Sequence, residues 1–237
     1  MARVVSRYAP LSTHEADIWW AHADLAHAAA LRADFERAQD MARYTHHTRH
    51  ARTQSLAALA LLRGLLHQRW GAWWARTPLA HEPCGAPFLP YGPERAISIS
   101  HSAGQIAVAA SLSAAVGIDI EWMDPAFRMA PVVRRCFHPR EARVLAALPS
   151  RSMLQTFYAW WVAKEAVVKC LHMGLALPTA SFLIPHPLGA GPVLGLHTAV
   201  WVTALPAPAG YRMALAWRGG PKDPGGLRRI EPPVVPT

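Results

Sequence analysis

The chain has 237 residues, of which 52% are hydrophobic and only 16% are charged, so it can bury a substantial core and is not a disordered chain. Its formal net charge of +9 and isoelectric point near 10.2 predict an electropositive surface and an acidic partner, without choosing among nucleic acid, membrane, phosphorylated ligand and acidic protein. The arginines are scattered, with no basic run and no aromatic ladder between them, so a dedicated nucleic-acid groove is not supported.

Three cysteines at wide spacing, without a C-x-x-C pair, are typical of a reducing compartment and give no zinc site. His46, His47 and His50 have no carboxylate or cysteine at ligand spacing, which favours a solvated helix start over a metal cluster. Residues 1–13 lack the apolar core of a secretion signal, and no apolar run reaches the length of a membrane span. We therefore expect a soluble, cytoplasmic protein.

The first half begins with a strand that is followed by helices. Residues 16–25 are apolar enough for a strand, in which Trp19 and Trp20 must point to opposite faces. Helices are predicted at residues 27–43 and 49–70. The second of these carries enough apolar residues to be the central helix of an N-terminal half.

A connector rich in proline and glycine, residues 78–93, separates these helices from a β-rich region. Alternating patterns predict strands over residues 96–100, 105–111 and 116–122, with a turn at 101–104. The last two strands are separated by a tight connection, which predicts a β-hairpin.

The strand at 116–122 carries two acids on one face. Ile118 and Ile120 face one way, so Asp119 and Glu121 must face the other way, side by side. Neighbouring carboxylates repel each other unless a cation lies between them, and oxygen ligands of this kind suit Mg²⁺. The alternative is an ordinary solvent-facing side of a half-buried strand.

The segment 152–172 lacks proline and glycine up to its end and is apolar on most sides, which predicts a buried helix. Trp161, Glu165 and Lys169 are spaced by four, so they share one face of it. Only three of the 24 Lys and Arg residues are lysines, and two of these, Lys164 and Lys169, lie beside Glu165. A compact ammonium with a tunable pKa suits a site that binds phosphate or moves protons. The alternative is an exposed Glu–Lys pair that stabilises the helix.

The remaining elements of the second half are short. Helices are predicted at residues 130–137 and 139–148, and an antiparallel pair at 199–205 and 210–217. Residues 219–237 contain five prolines and few apolar side chains to pack, so we predict a flexible tail.

A resemblance to a known family is carried by two segments, Gly117-Ile118-Asp119-Ile120-Glu121 and Trp161-Val162-Ala163-Lys164-Glu165-Ala166-Val167-Val168-Lys169. In this order and spacing they resemble the paired signature of the 4′-phosphopantetheinyl transferases, in the larger, surfactin-synthetase-activating type. That family's Ser-x-Ser-His-Ser strand end has a counterpart in Ser98-Ile99-Ser100-His101-Ser102. Its segment between the signatures has a counterpart in Arg135-Cys136-Phe137-His138-Pro139-Arg140-Glu141. The resemblance covers residues 96–182.

The resemblance implies a pseudo-duplicated, two-lobed α+β fold. Each half would be a small, mostly antiparallel sheet packed on helices, with coenzyme A in the cleft between the halves. We expect an N-terminal half at residues 1–112, a C-terminal half carrying the metal site at 113–218 and the flexible tail at 219–237. A chain that holds both halves needs no partner to complete the cleft, so we expect a monomer.

The family transfers the phosphopantetheine arm of coenzyme A to a serine of an acyl or peptidyl carrier protein and releases adenosine 3′,5′-bisphosphate. The resemblance implies that Asp119, Glu121 and Glu165 hold Mg²⁺ against the pyrophosphate. Such transfer asks a protein chiefly for positioning and charge neutralisation, which three acids, a metal and a lysine can supply.

The resemblance also assigns individual roles. Glu165 is expected to take the proton from the carrier serine, directly or through water, and Lys169 to neutralise or protonate the departing phosphate. Ser100 and His101 are expected to contact the phosphates of the nucleotide. The expected catalytic residues are therefore His101, Asp119, Glu165 and Lys169.

The N-terminal half matches the family less closely. Arg37, Arg43, Arg52 and Thr53 fall where the family places basic and hydroxyl contacts to coenzyme A, and the alternative for them is a solvated helix face. The usual Gly-Lys-Pro of the family is Gly-Ala-Pro here, with Ala86 in the place of a phosphate-binding lysine. Coenzyme A is then expected to bind more weakly or to rely on Arg63 or Arg95.

Two other functions stay open from the sequence. A metal-dependent nuclease also uses clustered acids and a lysine, but such enzymes place a lysine two positions after the second acid, where Met123 stands. A basic non-catalytic module that binds an acidic protein would leave the two lysines beside Glu165 unexplained. We therefore expect an enzyme that uses coenzyme A and an acidic carrier protein, and that binds neither nucleic acid nor a membrane.

Overall fold

The computed structural model describes residues 18–35, 44, 48–186, 188–189, 191–220 and 227–232. In this part of the chain the α-helices are α1 (Leu25–Ala30), α2 (Arg32–Phe35), α3 (Arg49–Trp70), α4 (Ala72–Arg76), α5 (Met129–Cys136), α6 (Pro139–Ala146) and α7 (Ser150–Cys170). The strands are β1 (Ile18–Asp24), β2 (Ala80–His81), β3 (Pro87–Phe88), β4 (Ala96–Ser102), β5 (Gln105–Ser111), β6 (Val116–Trp122), β7 (Gly191–Pro192), β8 (Val200–Leu205), β9 (Tyr211–Arg218) and β10 (Leu227–Arg229). Short 3₁₀-helices follow α7 at Gly174–Ala176 and Thr179–Ser181. This combination of helices with mostly antiparallel sheets confirms the predicted α+β class.

The N-terminal sheet has the strand order β10-β1-β5-β4. Strand β5 pairs antiparallel with β1 and with β4, and β10 pairs parallel with β1. Both faces of β1 are buried, because Trp19 packs in the cluster that includes the apolar face of α3, while Trp20 packs toward the other sheet. The predicted first strand and the opposite orientation of its two tryptophans are confirmed.

The C-terminal sheet has the strand order β6-β9-β8-β7, and all neighbouring pairs in it are antiparallel. Helix α7 lies across one face and buries Phe157, Val162 and Ala166 against Val202 of β8 and Ala214 of β9. Neither α7 nor any other helix in the described part of the chain is long and apolar enough to cross a membrane.

The two sheets face each other across a third apolar cluster. The N-terminal sheet contributes Trp20 and Ala107, and the C-terminal sheet contributes Ile118, Ile120 and Leu215. The layers therefore follow the order α3, N-terminal sheet, C-terminal sheet, α7. At one side of this stack, β4 and β6, each an edge strand of its own sheet, run next to each other.

The predicted hairpin of β5 and β6 is wrong. Strand β5 pairs with β1 and β4, whereas β6 pairs with β9 in the other sheet. The Ser111 hydroxyl accepts from the N–H groups of Ser113 and Ala114, at 3.4 and 3.1 Å, and so turns the chain from one sheet to the other. The physical reason is that β5 is buried on both faces, so β6 covers one of these faces instead of extending the same sheet.

The prediction of a flexible tail does not hold for residues 227–229, which form β10. The N–H of Ile230 donates to the carbonyl of Trp20 at 2.7 Å, and Leu227 and Ile230 pack against the apolar clusters. Two apolar side chains and an available edge of β1 give this short segment a place to pack. The predicted boundary between the two halves stays a prediction.

Candidate active site

The two acids of β6 face helix α7. The isoleucines of this strand are buried between the sheets, so Asp119 and Glu121 point to the opposite side, as the alternation predicts. Gly117 shares that side, and a Cβ atom on it would collide with the carbonyl oxygen of Ala166 in α7. Only glycine lets the helix backbone approach the strand this closely, so Gly117 sets the spacing between the acids and α7.

Helix α7 presents Trp161, Glu165 and Lys169 to a common cavity, as their spacing of four predicts. The Trp161 ring stacks with Phe157, with ring centroids 6.4 Å apart and planes within 4° of parallel. The ammonium of Lys169 reaches β6, where it donates to Asp119 Oδ1 at 2.7 Å and to the carbonyl oxygen of the preceding residue at 3.3 Å. The Lys169 side chain therefore links helix α7 to strand β6 at the wall of the cavity.

The cavity lies between the two halves and has a volume of about 470 Å³. Its walls include Ser100 and His101 of β4, Asp119 and Glu121 of β6, and Glu165 and Lys169 of α7. A second cavity of about 780 Å³ shares part of these walls and extends past Arg135 and His172. Volumes of this size are typical of sites for small molecules and cofactors.

Asp119 is held on one oxygen and free on the other. Its Oδ1 accepts from the Ser100 hydroxyl and from the Lys169 ammonium, each at 2.7 Å. Its Oδ2 is buried and has no hydrogen-bond partner among the described residues. Leaving a buried acceptor unsatisfied costs about 1–3 kcal/mol, and more for a charged group, so this oxygen is suited to bind a cation or a donor from a ligand.

The other two carboxylates repel each other and Asp119. Burial raises the pKa of Glu121, and the negative charges of Asp119 and Glu165 raise it further. The Ser102 hydroxyl and the Lys169 ammonium lower it, but they do not outweigh the effect of burial. Burial likewise raises the pKa of Glu165, the charge of Asp119 adds to it, and Lys169 opposes it. An additional cation in the cavity would relieve this repulsion.

His101 lies at the exposed mouth of the cavity. Partial desolvation of its ring and the positive charge of Lys169 lower its pKa. The imidazole is therefore largely neutral near pH 7, and one of its nitrogens can accept a hydrogen bond.

The donor set fits a hard divalent cation. Carboxylate oxygens are the ligands that Mg²⁺ prefers, and three carboxylates line this cavity. Across the described residues, however, no three His, Cys, Asp or Glu side chains form a preformed group that could hold a metal. Instead, Asp119 accepts hydrogen bonds from Ser100 and Lys169, and Glu121 accepts one from Ser102. The convergence of all three acids on one ion stays a prediction.

Lys164 does not face the site, although it precedes Glu165 in the sequence. Its ammonium is fully buried on another side of α7, pairs with Glu141 Oε2 at 2.9 Å and donates to the carbonyl oxygens of Thr179 and Phe182. Five residues separate it from Lys169, which is a rotation of roughly 140° around a helix. The inference that both lysines serve the site is therefore wrong for Lys164.

The predicted coenzyme A contacts in the N-terminal half are not brought to the cavity walls. Arg37 and Arg43 lie outside the described residues. Arg52 and Thr53 lie on the first turns of α3, where the Thr53 hydroxyl donates to the carbonyl of Arg49 at 2.9 Å. The same helix lines the cavity with Ser55, two residues after Thr53. The roles of Arg52 and Thr53 in binding stay predictions.

The two arginines expected to replace the missing lysine at Ala86 are engaged elsewhere. Arg63 is buried in α3 and donates to the carbonyl oxygens of Ala75 and Thr77 at 2.7 and 3.1 Å. The Arg95 guanidinium lies 4.3 Å from the ring centroid of Trp74 and forms an ion pair with its neighbour, Glu94. Neither lines the two cavities of the site, so the expectation that they replace this lysine is not supported.

Sequence reasoning missed three basic residues of the cavity walls, which are His81, Arg135 and His172. Arg135 stands in a segment that resembles the family, so its position in that motif was the available signal. His81 lies in the two-residue strand β2 and His172 in the turn after α7, and only the tertiary fold brings them to the walls.

Comparison with known proteins agrees with the geometry. Residues 115–216, which include β6 and α7, match the family model of the 4′-phosphopantetheinyl transferase superfamily. A Bacillus subtilis protein named 4′-phosphopantetheinyl transferase is 37% identical over 100 residues, which are 42% of this chain and 43% of that protein. HetI, a 4′-phosphopantetheinyl transferase of a Nostoc species, is 29% identical over 53% of this chain and 54% of its own. Sfp, a 4′-phosphopantetheinyl transferase of Bacillus subtilis strain 168, is 30% identical over 55% and 58%.

The chain spans about half the length of these curated relatives. The matches bear out the resemblance to this family that the two sequence motifs indicate, and the similarity to Sfp agrees with the larger type of the family. The matched region holds Asp119, Glu121, Glu165 and Lys169, whereas the coenzyme A contacts predicted before residue 60 lie outside the family-model match.

Proposed function

We propose that the chain is a member of the 4′-phosphopantetheinyl transferase superfamily and that it transfers the 4′-phosphopantetheine arm of coenzyme A to a serine of an acyl or peptidyl carrier protein. Adenosine 3′,5′-bisphosphate is the other product. The observation that carries this proposal is that Asp119, Glu121, Glu165 and Lys169 line one cavity between the two halves. Both sequence motifs of the family therefore contribute to the same wall.

The reaction needs a base near the attacking serine. Glu165 is the carboxylate of the cavity that belongs to α7, and burial raises its pKa, which makes it a better proton acceptor. We propose that it takes the proton of the carrier serine, directly or through a water molecule. The serine oxygen then attacks the β-phosphorus of coenzyme A, and the bond between that phosphorus and the bridging oxygen breaks, so that adenosine 3′,5′-bisphosphate leaves.

The reaction also needs positive charge at the pyrophosphate. Lys169 of α7 lines the cavity, and its ammonium lies beside Asp119 of β6. From there it can neutralise or protonate the departing phosphate. Asp119, Glu121 and Glu165 would hold Mg²⁺, which would supply the remaining positive charge at the pyrophosphate. Ser100 and His101 line the same wall and are proposed to contact phosphates of the nucleotide, to which the neutral His101 ring can donate its N–H.

The carrier is proposed to be acidic. The formal net charge of +9 gives this chain an electropositive surface, which attracts an acidic protein over distances of about a Debye length. The chain is proposed to act as a monomer on such carriers, without binding nucleic acid or a membrane.

The test is to incubate the purified chain with Mg²⁺, coenzyme A and a panel of apo carrier proteins, and to measure the mass of each carrier. We expect a gain of one phosphopantetheine on at least one of them and no gain with Glu165→Gln, although that variant still binds the carrier. Glu231→Gln, which changes an acid that is 79% exposed, is the matched control and retains the activity.

Two results would contradict the proposal. The absence of a mass gain across acyl and peptidyl carriers would speak against the transfer reaction itself. Mg²⁺-dependent cleavage of plasmid DNA that is lost in Asp119→Ala would favour the nuclease alternative instead.

A further inference from the structure

Three serines of β4 join the two halves of the molecule. Their hydroxyl oxygens accept the backbone N–H groups of β6 in steady register, Ser98 from Ile118 at 3.0 Å, Ser100 from Ile120 at 3.4 Å and Ser102 from Trp122 at 3.2 Å. Strand β6 is an edge strand, so these N–H groups point away from its own sheet. The serine hydroxyls thus replace the strand that would otherwise pair with this edge.

Two of the three serines carry a second bond. The Ser100 hydroxyl donates to Asp119 Oδ1 at 2.7 Å, and the Ser102 hydroxyl donates to Glu121 Oε2 at 2.6 Å. A hydroxyl has one donor hydrogen and two acceptor lone pairs, so each serine can serve the backbone and the carboxylate at once. Among the described residues, Ser98 bonds to no carboxylate, and its hydroxyl makes only the hydrogen bond from the N–H of Ile118.

We propose that Ser102 is a positioning residue, which fixes the Glu121 carboxylate for metal binding by tying it to the N-terminal half. This inference rests on the proposed function, in which Glu121 is a metal ligand. Without the Ser102 hydroxyl, the half-buried Glu121 side chain loses the one hydrogen bond that restricts its rotamer in the described residues. Its carboxylate would then have to be ordered by the metal ion itself, which weakens binding.

Ser98→Ala provides the matched control. It removes the same kind of backbone hydrogen bond between the same two strands, and it leaves every carboxylate contact in place. A purely structural role of the serines predicts that Ser98→Ala and Ser102→Ala behave alike in every assay. A positioning role predicts that they differ in metal affinity.

The experiment measures the dissociation constant of Mn²⁺, used as a probe for the Mg²⁺ site, by titration calorimetry on the full chain without coenzyme A or carrier. We expect Ser102→Ala to weaken Mn²⁺ binding about tenfold. Ser98→Ala should stay within about twofold of the wild type, because its hydroxyl touches no ligand of the metal. Ser102→Thr keeps the hydroxyl and should restore the affinity.

A double-mutant cycle removes the remaining ambiguity. Once Glu121→Gln has removed the charged ligand, adding Ser102→Ala should change the Mn²⁺ affinity little, since the serine acts through Glu121. If Ser102→Ala binds Mn²⁺ as tightly as the wild type does, or if Ser98→Ala weakens it equally, the positioning role is overturned.

Failure of the inference can be told apart from failure of the proposed function. A wild-type chain that modifies carriers while Ser102→Ala keeps full Mn²⁺ affinity overturns only the role of Ser102. A wild-type chain that neither binds Mn²⁺ nor modifies any carrier overturns the proposed function, and the role of Ser102 falls with it.

Discussion

The two lysines of α7 lie five residues apart, in one helix, and have opposite surroundings. The side chain of Lys164 is 0% exposed and is coordinated by Glu141 and by two backbone carbonyl oxygens. The side chain of Lys169 is 30% exposed, pairs with Asp119 and borders the cavity. The same residue type is therefore part of a buried ion pair on one side of the helix and part of the cavity wall on the other.

The difference lies in how completely each ion pair is satisfied. Both oxygens of Glu141 are used, because Oε2 accepts from Lys164 and from the N–H of His138, and Oε1 accepts from the N–H of Ile184. This buried pair links α6, α7 and the loop after α7, and both of its carboxylate oxygens have partners within the protein. Asp119, beside a cavity, keeps a buried oxygen that has no partner within the described part of the chain. A saturated pair stabilises the fold, whereas an unsaturated pair at a cavity is suited to bind a ligand.

The largest expected effect follows from breaking the saturated pair. Lys164→Met leaves Glu141 buried without its counter-charge, and removing one partner of a buried ion pair costs about 3–5 kcal/mol in the free energy of unfolding. The matched Lys169→Met change should cost no more than about 1–2 kcal/mol, because its site is open to water. Urea unfolding followed by circular dichroism measures both. Equal losses in the two variants would remove the distinction between the pairs.

Sequence periodicity predicted what depends on a single element. Helix α3 and strands β5 and β6 have the predicted bounds, Asp119 and Glu121 share a face, and Trp161, Glu165 and Lys169 share another. These features follow from repeats of two and of about 3.6 residues along the chain, which the residues themselves display.

Periodicity could not predict which neighbour covers each face. Lys164 is adjacent to Glu165 in the sequence, yet its partner is Glu141, 23 residues earlier, in a helix whose packing depends on the loop after α7. The short connection between β5 and β6 predicts a hairpin. Both faces of β5 are apolar, however, so each face must be covered by another element of the fold. Such choices depend on the free energy of the whole packed structure rather than on local patterns.

A smaller effect distinguishes the two lysines by chemistry. Lys169→Arg keeps the positive charge but replaces a point donor by a planar fork, which does not fit between Asp119 Oδ1 and the adjacent carbonyl oxygen. We expect kcat/KM for carrier modification to fall about tenfold or more, equivalent to ~1.4 kcal/mol of transition-state stabilisation. Lys164→Arg should instead lower the unfolding free energy and leave kcat/KM of the folded protein unchanged. A mass-spectrometric time course of carrier modification checks the rates, and full activity of Lys169→Arg would contradict a specific role of the ammonium.

The smallest expected effect concerns the metal. The Lys169 ammonium lies 2.7 Å from Asp119 Oδ1, so before any cation binds it already neutralises part of the acidic cluster. Lys169→Met removes this competing charge and should tighten Mn²⁺ binding roughly threefold to tenfold, since the repulsion between the ammonium and the ion is lost. The same variant should lose carrier modification, because the departing phosphate would lose its proposed donor. Lys164→Met, measured at a temperature where it is folded, should not alter Mn²⁺ affinity. Titration calorimetry gives both affinities. Weaker Mn²⁺ binding in Lys169→Met would mean that the ammonium orders Asp119 for the metal more than it repels the ion, and the two lysines would then both act by holding an acid in place.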